Sequence, residues 1–123
     1  MFAGDDAMRI IRVIPMLTVD SLEECLTFYR GALGLEVVTR LSWIATLCSG
    51  DRVDKQLGLI TRDPLAPCNA DVSVQVCDVD GAYASAMDHG IEIVYPLSDE
   101  PWGARRFFLR DEGGSVINVL API

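Results

Sequence analysis

Apolar and polar positions along the chain run through the same order twice. An alternating run, Pro15-Met16-Leu17-Thr18-Val19, leads through Asp20-Ser21 into a stretch of helical spacing and then Gly34-Leu35-Glu36-Val37-Val38. Past the middle, Val72-Ser73-Val74-Gln75-Val76 leads through Cys77-Asp78 into a second helical stretch and then Gly90-Ile91-Glu92-Ile93-Val94. Val19 and Val76 are 57 positions apart and Gly34 and Gly90 are 56 apart, so a gap of one residue superposes the copies. Period-2 alternation marks a half-buried strand, and recurrence every three or four residues marks an amphipathic helix. The repeat therefore predicts two similar modules that pair and enclose a groove.

Residues 11–19 are predicted as the first strand. Ser21 is the predicted N-cap of the first helix, with Glu24 as its capping-box partner. Leu22, Cys25, Leu26, Tyr29 and Leu33 form the apolar stripe, and Gly34 ends the helix. Strands follow over 35–41, 43–49 and 52–60, with a turn at Ser49-Gly50-Asp51. Residues 62–70, with two prolines, read as a linker. In the second half, 72–76 is a strand and Asp78 caps a helix striped by Val79, Ala82, Tyr83 and Ala86, ending near Gly90. Residues 91–95 read as a strand, 96–103 as a loop, and 105–110 and 115–120 as closing strands joined by Asp111-Glu112-Gly113-Gly114. The predicted class is α+β: two βαβββ modules, 9–61 and 71–123, forming curved mixed sheets around a groove and paired in a homodimer. Residues 1–8 read as a flexible tail, with Met8 as a natural start.

With 123 residues, half of them apolar, the chain has material for one small domain or two fused half-domains. No apolar run approaches the roughly 18 residues of a membrane span. Met1 to Asp6 carries acids where a secretory signal carries basic residues, so a cytoplasmic location is expected. The four cysteines, Cys25, Cys48, Cys68 and Cys77, have no CxxC spacing and are expected as free thiols. A net charge of −8 argues against nucleic acid or an anionic membrane as partner and is compatible with a cationic ligand.

The segment from Pro15 to Val38, with Phe28-Tyr29 and Leu33-Gly34-Leu35, resembles the first module of the glyoxalase/bleomycin-resistance/extradiol-dioxygenase (vicinal oxygen chelate) superfamily. Pro101-Trp102-Gly103-Ala104-Arg105-Arg106-Phe107, followed by Asp111-Glu112-Gly113-Gly114-Ser115, resembles its closing hairpin, usually written PWG-x-R-x-F…DPDGN. The resemblance, which is to the bleomycin-resistance-like branch, covers about residues 9–123. It implies a divalent metal in the groove of the enzymes, held on the first and last strands of each module. Those positions fall on Ile14, Asp71 and Asn118 here, with only Gln56 and Thr61 as polar candidates on the remaining strand. Ile14 cannot ligate and Asn118 is a neutral ligand. The one histidine, His89, closes the second helix, where it meets the helix dipole. No metal and no cofactor are expected. A weak magnesium site at Asp71 and Asn118, or Asp71 as a general base, is the enzymatic alternative. A module with a vestigial site serving protein interaction is another.

Strand parity says what the groove contains. Val72, Val74 and Val76 point to the helix and Asp71, Ser73 and Gln75 to the groove. In the first strand Pro15, Leu17 and Val19 take the helix side and Ile14, Met16 and Thr18 the groove side. In the last, Ile117 and Val119 take the helix side and Val116, Asn118 and Leu120 the groove side. Such a half-apolar, half-hydrogen-bonding face suits a small organic ligand, cationic or aromatic, better than a metal ion. Trp43 and Trp102 are candidate flat walls for a ring, or plugs of an interface. Arg105 either binds an anionic group of the ligand or pairs with an acid such as Asp111. Asp99-Glu100 reads as a solvated acidic loop. The expected ligand-binding residues are thus Met16, Thr18, Trp43, Asp71, Ser73, Gln75, Trp102, Arg105 and Asn118.

Overall fold

The computed structural model describes residues 9–52 and 54–123. The expectations for residues 1–8 lie outside the described residues. The chain divides into two compact units, one of residues Ile14–Asn69 and one of Ala70–Ile123 together with the described residues before Ile14. Ten elements follow in order: β1 Ile10–Thr18, α1 Leu22–Leu33, β2 Leu35–Arg40, β3 Ile44–Ser49, β4 Leu57–Ile60, β5 Val72–Val76, α2 Val79–Asp88, β6 Ile93–Asp99, β7 Ala104–Arg110 and β8 Val116–Pro122.

In the first unit the strands lie side by side as β2-β3-β4-β1, with β1 and β4 parallel and the other pairs antiparallel. Ser21 caps α1 by accepting the Glu24 N–H at 3.3 Å, and Gly34, at φ 67°, closes it in the left-handed conformation that a Cβ disfavours. Leu22 and Leu26 of α1 pack on Ala45, Leu47 and Leu59, so the helix lies over β3 and β4. Of the β1 side chains expected to meet it, Val19 does, whereas Leu17 stays 40% exposed because α1 does not extend over it. Ile14 and Met16 take the opposite face, with Ile60, Ile44 and Trp43. β4 is shorter than its predicted 52–60 span. Arg52 N–H turns back to Ser49 O, and the strand begins only at Leu57.

In the second unit the order is β5-β8-β7-β6, with β5 and β8 parallel. Asp78 caps α2 by accepting the Gly81 N–H. The helix face is built on cross-strand rows such as Val74–Val119–Phe107, closed by Val79, Ala82 and Ala86. Phe107 and Phe108 are consecutive and both essentially without exposure, Phe107 packed in the α2 cluster and Phe108 against Tyr95 and Arg106 on the other face. The residues before Ile14 join this unit through Arg9, whose carbonyl accepts the Cys77 N–H and whose Nε donates to Cys77 Sγ.

One predicted loop is a strand. β6 continues through Pro96 to Asp99, and only residues 100–103 turn. Pro96 is tolerated because β6 is the outer strand of its ladder and its register shifts between Tyr95 and Ser98. The turn is tight. Glu100 N–H donates to Ala104 O, Gly103 N–H donates to Glu100 O, and Gly103 takes φ 92°.

Candidate functional site

Sheet register decides which side chains share a face. On the sheet of the second unit, away from α2, one row runs Ser73–Asn118–Phe108–Tyr95 and the next runs Gln75–Leu120–Arg106–Ser98. Ser73 is buried and Asn118 half-buried. Asn118 Nδ2 donates to Ser73 Oγ at 3.0 Å, and Asn118 Oδ1 is a buried acceptor with no partner. An unsatisfied buried acceptor costs roughly 1–3 kcal/mol. The same amide oxygen is a ready partner for a donor brought in by a ligand.

Beside this pair lies a charged cluster. Arg106 Nε donates to Glu100 Oε2 at 2.6 Å, with side-chain exposures of 5% and 3%. The Tyr95 hydroxyl donates to the same carboxylate at 3.1 Å. The guanidinium carbon lies 5.3 Å from the Tyr95 ring centre, 4.9 Å from Trp102 and 5.0 Å from Phe108. A cation among three aromatic faces with a carboxylate at its edge is well satisfied despite its burial. Glu100, expected in a solvated loop, is instead buried, because the tight turn aims it back onto Arg106 and Tyr95. Arg106, Tyr95 and Phe108 are members of this face that the sequence reading passed over. The alternation that sends Phe107 to the helix sends Arg106 and Phe108 to the other face, but with two arginines and two phenylalanines in succession only the register of β7 tells which goes where.

Arg105 stands on the α2 side of the same strand. It forms ion pairs with Asp99 at 2.6 Å and Asp80 at 3.1 Å, not with Asp111. The Arg105 hydrogen bond holds the Asp99 carboxyl below its usual range, and the hydrogen bonds to Asp99 and Asp80 raise the guanidinium further. Asp111 instead accepts the Ser115 N–H in the closing turn. Asp71 is exposed, and its Oδ2 accepts the Val116 N–H at 2.8 Å, which ties the start of β5 to β8. Gln75 is half-buried on the face of the sheet away from α2, and Trp102 is 39% exposed above Arg106.

Met16, Thr18 and Trp43 belong to the first unit. Met16 and Trp43 join the cluster with Ile14 and Ile60, and Thr18 Oγ1 accepts from Asn69 Nδ2 at 3.1 Å. The row there runs Thr39–Thr46–Gly58–Met16, and the two threonine hydroxyls bond at 2.6 Å. Gln56 precedes β4 and accepts the Ser49 N–H, and Thr61 bonds Trp43 O. A shallow depression of about 340 Å³ lies among Thr61, Arg62, Asp63, Ala66, Pro67, Cys68 and Asn69, on the loop after β4.

Residues 71–119 match the sequence model of the Glyoxalase/Bleomycin resistance protein/Dioxygenase superfamily. Among solved structures, a superfamily member from Vibrio splendidus 12B01 is 20% identical, with 89% of this chain and 97% of that one covered at a TM-score of 0.68. The chain has the glyoxalase fold. A structure described as NAD-dependent benzaldehyde dehydrogenase from Legionella pneumophila is 18% identical, with 91% and 100% covered at a TM-score of 0.74. A variant of homoprotocatechuate 2,3-dioxygenase from B. fuscum is 24% identical at a TM-score of 0.70, with 94% of this chain but only 33% of that enzyme covered. At these identities the likeness is one of fold, and the fold carries many activities. No curated protein matches the chain by sequence. The divalent metal that the resemblance implies does not fit the side chains found here. Ile14 is an apolar core residue, Asn118 and Ser73 are neutral and bonded to each other, and Asp71 is held by a backbone N–H. His89 lies exposed, with Nδ1 2.7 Å from Ser85 O. Among the described residues no three of His, Cys, Asp and Glu come together as a ligand set. No helix of the described residues is long and apolar enough to cross a membrane.

Proposed function

We propose that this chain is a metal-independent small-molecule-binding protein of the bleomycin-resistance-like branch, which sequesters, senses or carries an organic ligand. The ligand lies on the face of the second sheet that carries Ser73, Asn118 and Phe108. The single observation behind the reading is the Asn118 amide. The resemblance sets it where the superfamily's enzymes carry a charged metal ligand, it is neutral, and it leaves a buried acceptor unpaired. That chemistry suits a hydrogen-bonding organic group and not a divalent cation. A chemically varied library screened by NMR shift mapping tests the reading. Shifts should cluster on Ser73, Phe108 and Asn118 and vanish in Asn118→Leu. A library without any binder at these residues overturns it.

The same reading carries a homodimer. Ile11, Val13 and Leu17 alternate along one face of β1 with exposures of 50%, 52% and 40%, an apolar stripe that a second chain would cover. Sedimentation at micromolar concentration tests this, and a monodisperse monomer contradicts it.

A further inference from the structure

Trp102 is a large aromatic ring in a turn, 39% exposed, yet it is fixed from below. The Arg106 guanidinium lies 4.9 Å beneath its ring, with Phe108 and Tyr95 on the cation's other sides. Glu100 fixes the cation's edge through Nε and is itself held by the Tyr95 hydroxyl. A flat surface moored in this way has already lost its rotamer freedom, so a ring that lies on it pays little further ordering cost. The unpaired acceptor stands on the same face. Arg106 is opposite Leu120 and Phe108 is opposite Asn118, so the amide is one two-residue step along the strands, about 7 Å from the level of Arg106. That is the span of one ring with a substituent. With Nδ2 committed to Ser73 Oγ, the free oxygen can only accept, so the substituent must donate. Glu100 and Arg106 neutralise each other, so the charge that bears on the ligand is the chain's −8, which disfavours an anion.

Resting on the function proposed above, we infer that the ligand is a planar ring system bearing a hydrogen-bond donor and no negative charge. Its ring lies on Trp102 and its donor meets Asn118 Oδ1. Arg106 and Glu100 are positioning residues that hold Trp102.

The test uses the full chain with Trp43→Phe, which leaves Trp102 as the sole tryptophan emitter. Three probes separate the requirements: 4-aminobenzamidine (flat, cationic, donating), cyclohexylamine (cationic, not flat) and 4-aminobenzoate (flat, anionic). 4-Aminobenzamidine should quench Trp102 saturably and bind about tenfold more tightly than either of the others. Followed by the probe's own fluorescence, Trp102→Leu should weaken it about tenfold, with Trp102→Phe recovering part of the loss, and Asn118→Leu should abolish saturable binding. Glu100→Gln should weaken it and lower the Trp102 anisotropy, a loosening that a purely structural role elsewhere would not produce. Should that variant fail to fold, Trp102→Leu, in its exposed turn, still decides the matter. Equal binding of cyclohexylamine or 4-aminobenzoate, or indifference to Trp102→Leu, overturns the ligand class and leaves the function standing. Failure of all three probes while the library yields a binder at Asn118 does the same. A library with no binder at all overturns the function itself.

Discussion

Ser73 and Asn118 are register partners across the parallel β5–β8 ladder, and their side chains bond at 3.0 Å while Asn118 Oδ1 stays unpaired. A buried polar pair kept half-satisfied lowers stability, and replacing both members by apolar groups removes the deficit. Ser73→Ala combined with Asn118→Leu should therefore be about 1 kcal/mol more stable than the parent in denaturant unfolding and should no longer bind ligand. A double variant that is strongly destabilised would mean that the amide is a structural brace.

The Glu100–Arg106 pair behaves in the opposite sense. Removing one member of a buried ion pair leaves a charge without its counterpart, at a cost of about 3 kcal/mol. Glu100→Ala should lose that much. A double-mutant cycle of Glu100→Ala with Arg106→Leu should show coupling above about 1 kcal/mol, because the two touch directly. Additive losses would show that the pair is not energetically joined.

The Arg105 cluster has a pH signature. The Arg105 hydrogen bond, then its charge, against some desolvation, holds the Asp99 carboxyl below its ordinary 3.8. A carboxylate lowered on folding stabilises fully above its ordinary value and stops doing so as pH falls through the lowered value. Asp99→Asn should thus be slightly less stable than the parent at neutral pH, and the difference should shrink only below about pH 4. The effect is small, since both side chains are solvated. Arg105 is raised beyond any ordinary alkaline range and adds no high-pH transition. A difference that grows on acidification would contradict this assignment.

In the first unit Gly58 makes room for Met16. A Cβ at Gly58 would run into the Met16 thioether, the flexible end of a side chain. Gly58→Ala should cost about 1–2 kcal/mol through overpacking, and Met16→Ala in the same chain should recover part of that. A Gly58→Ala variant as stable as the parent would show that Met16 has another rotamer at no cost.

The two strand–helix–strand runs were legible because each signal is local. Ser21 and Asp78 cap where they stand, Gly34 takes its positive φ, and the valines of β5 alternate onto the helix. Pro96 hid the length of β6, because a proline is a loop signal unless the strand is known to lie at an edge, and edges are set by topology. The face of Ser73, Gln75 and Asn118 followed from parity. The burial of Glu100 did not, since only the tight turn through Gly103 folds that carboxylate back onto Arg106. Arg105 and Arg106 are adjacent and alike in sequence. Strand alternation puts one against Asp80 and Asp99 and the other among three rings, and only the register of β7 says which is which.

The claim that this face takes an organic ligand without a metal is tested most directly by titrating chelator-treated protein with a binder from the library, with and without added zinc, nickel, iron(II) or magnesium. The account predicts the same affinity in every case, shift changes at Ser73, Phe108 and Asn118, and loss of both in Asn118→Leu. Binding that appears only when one of the metals is present would contradict it.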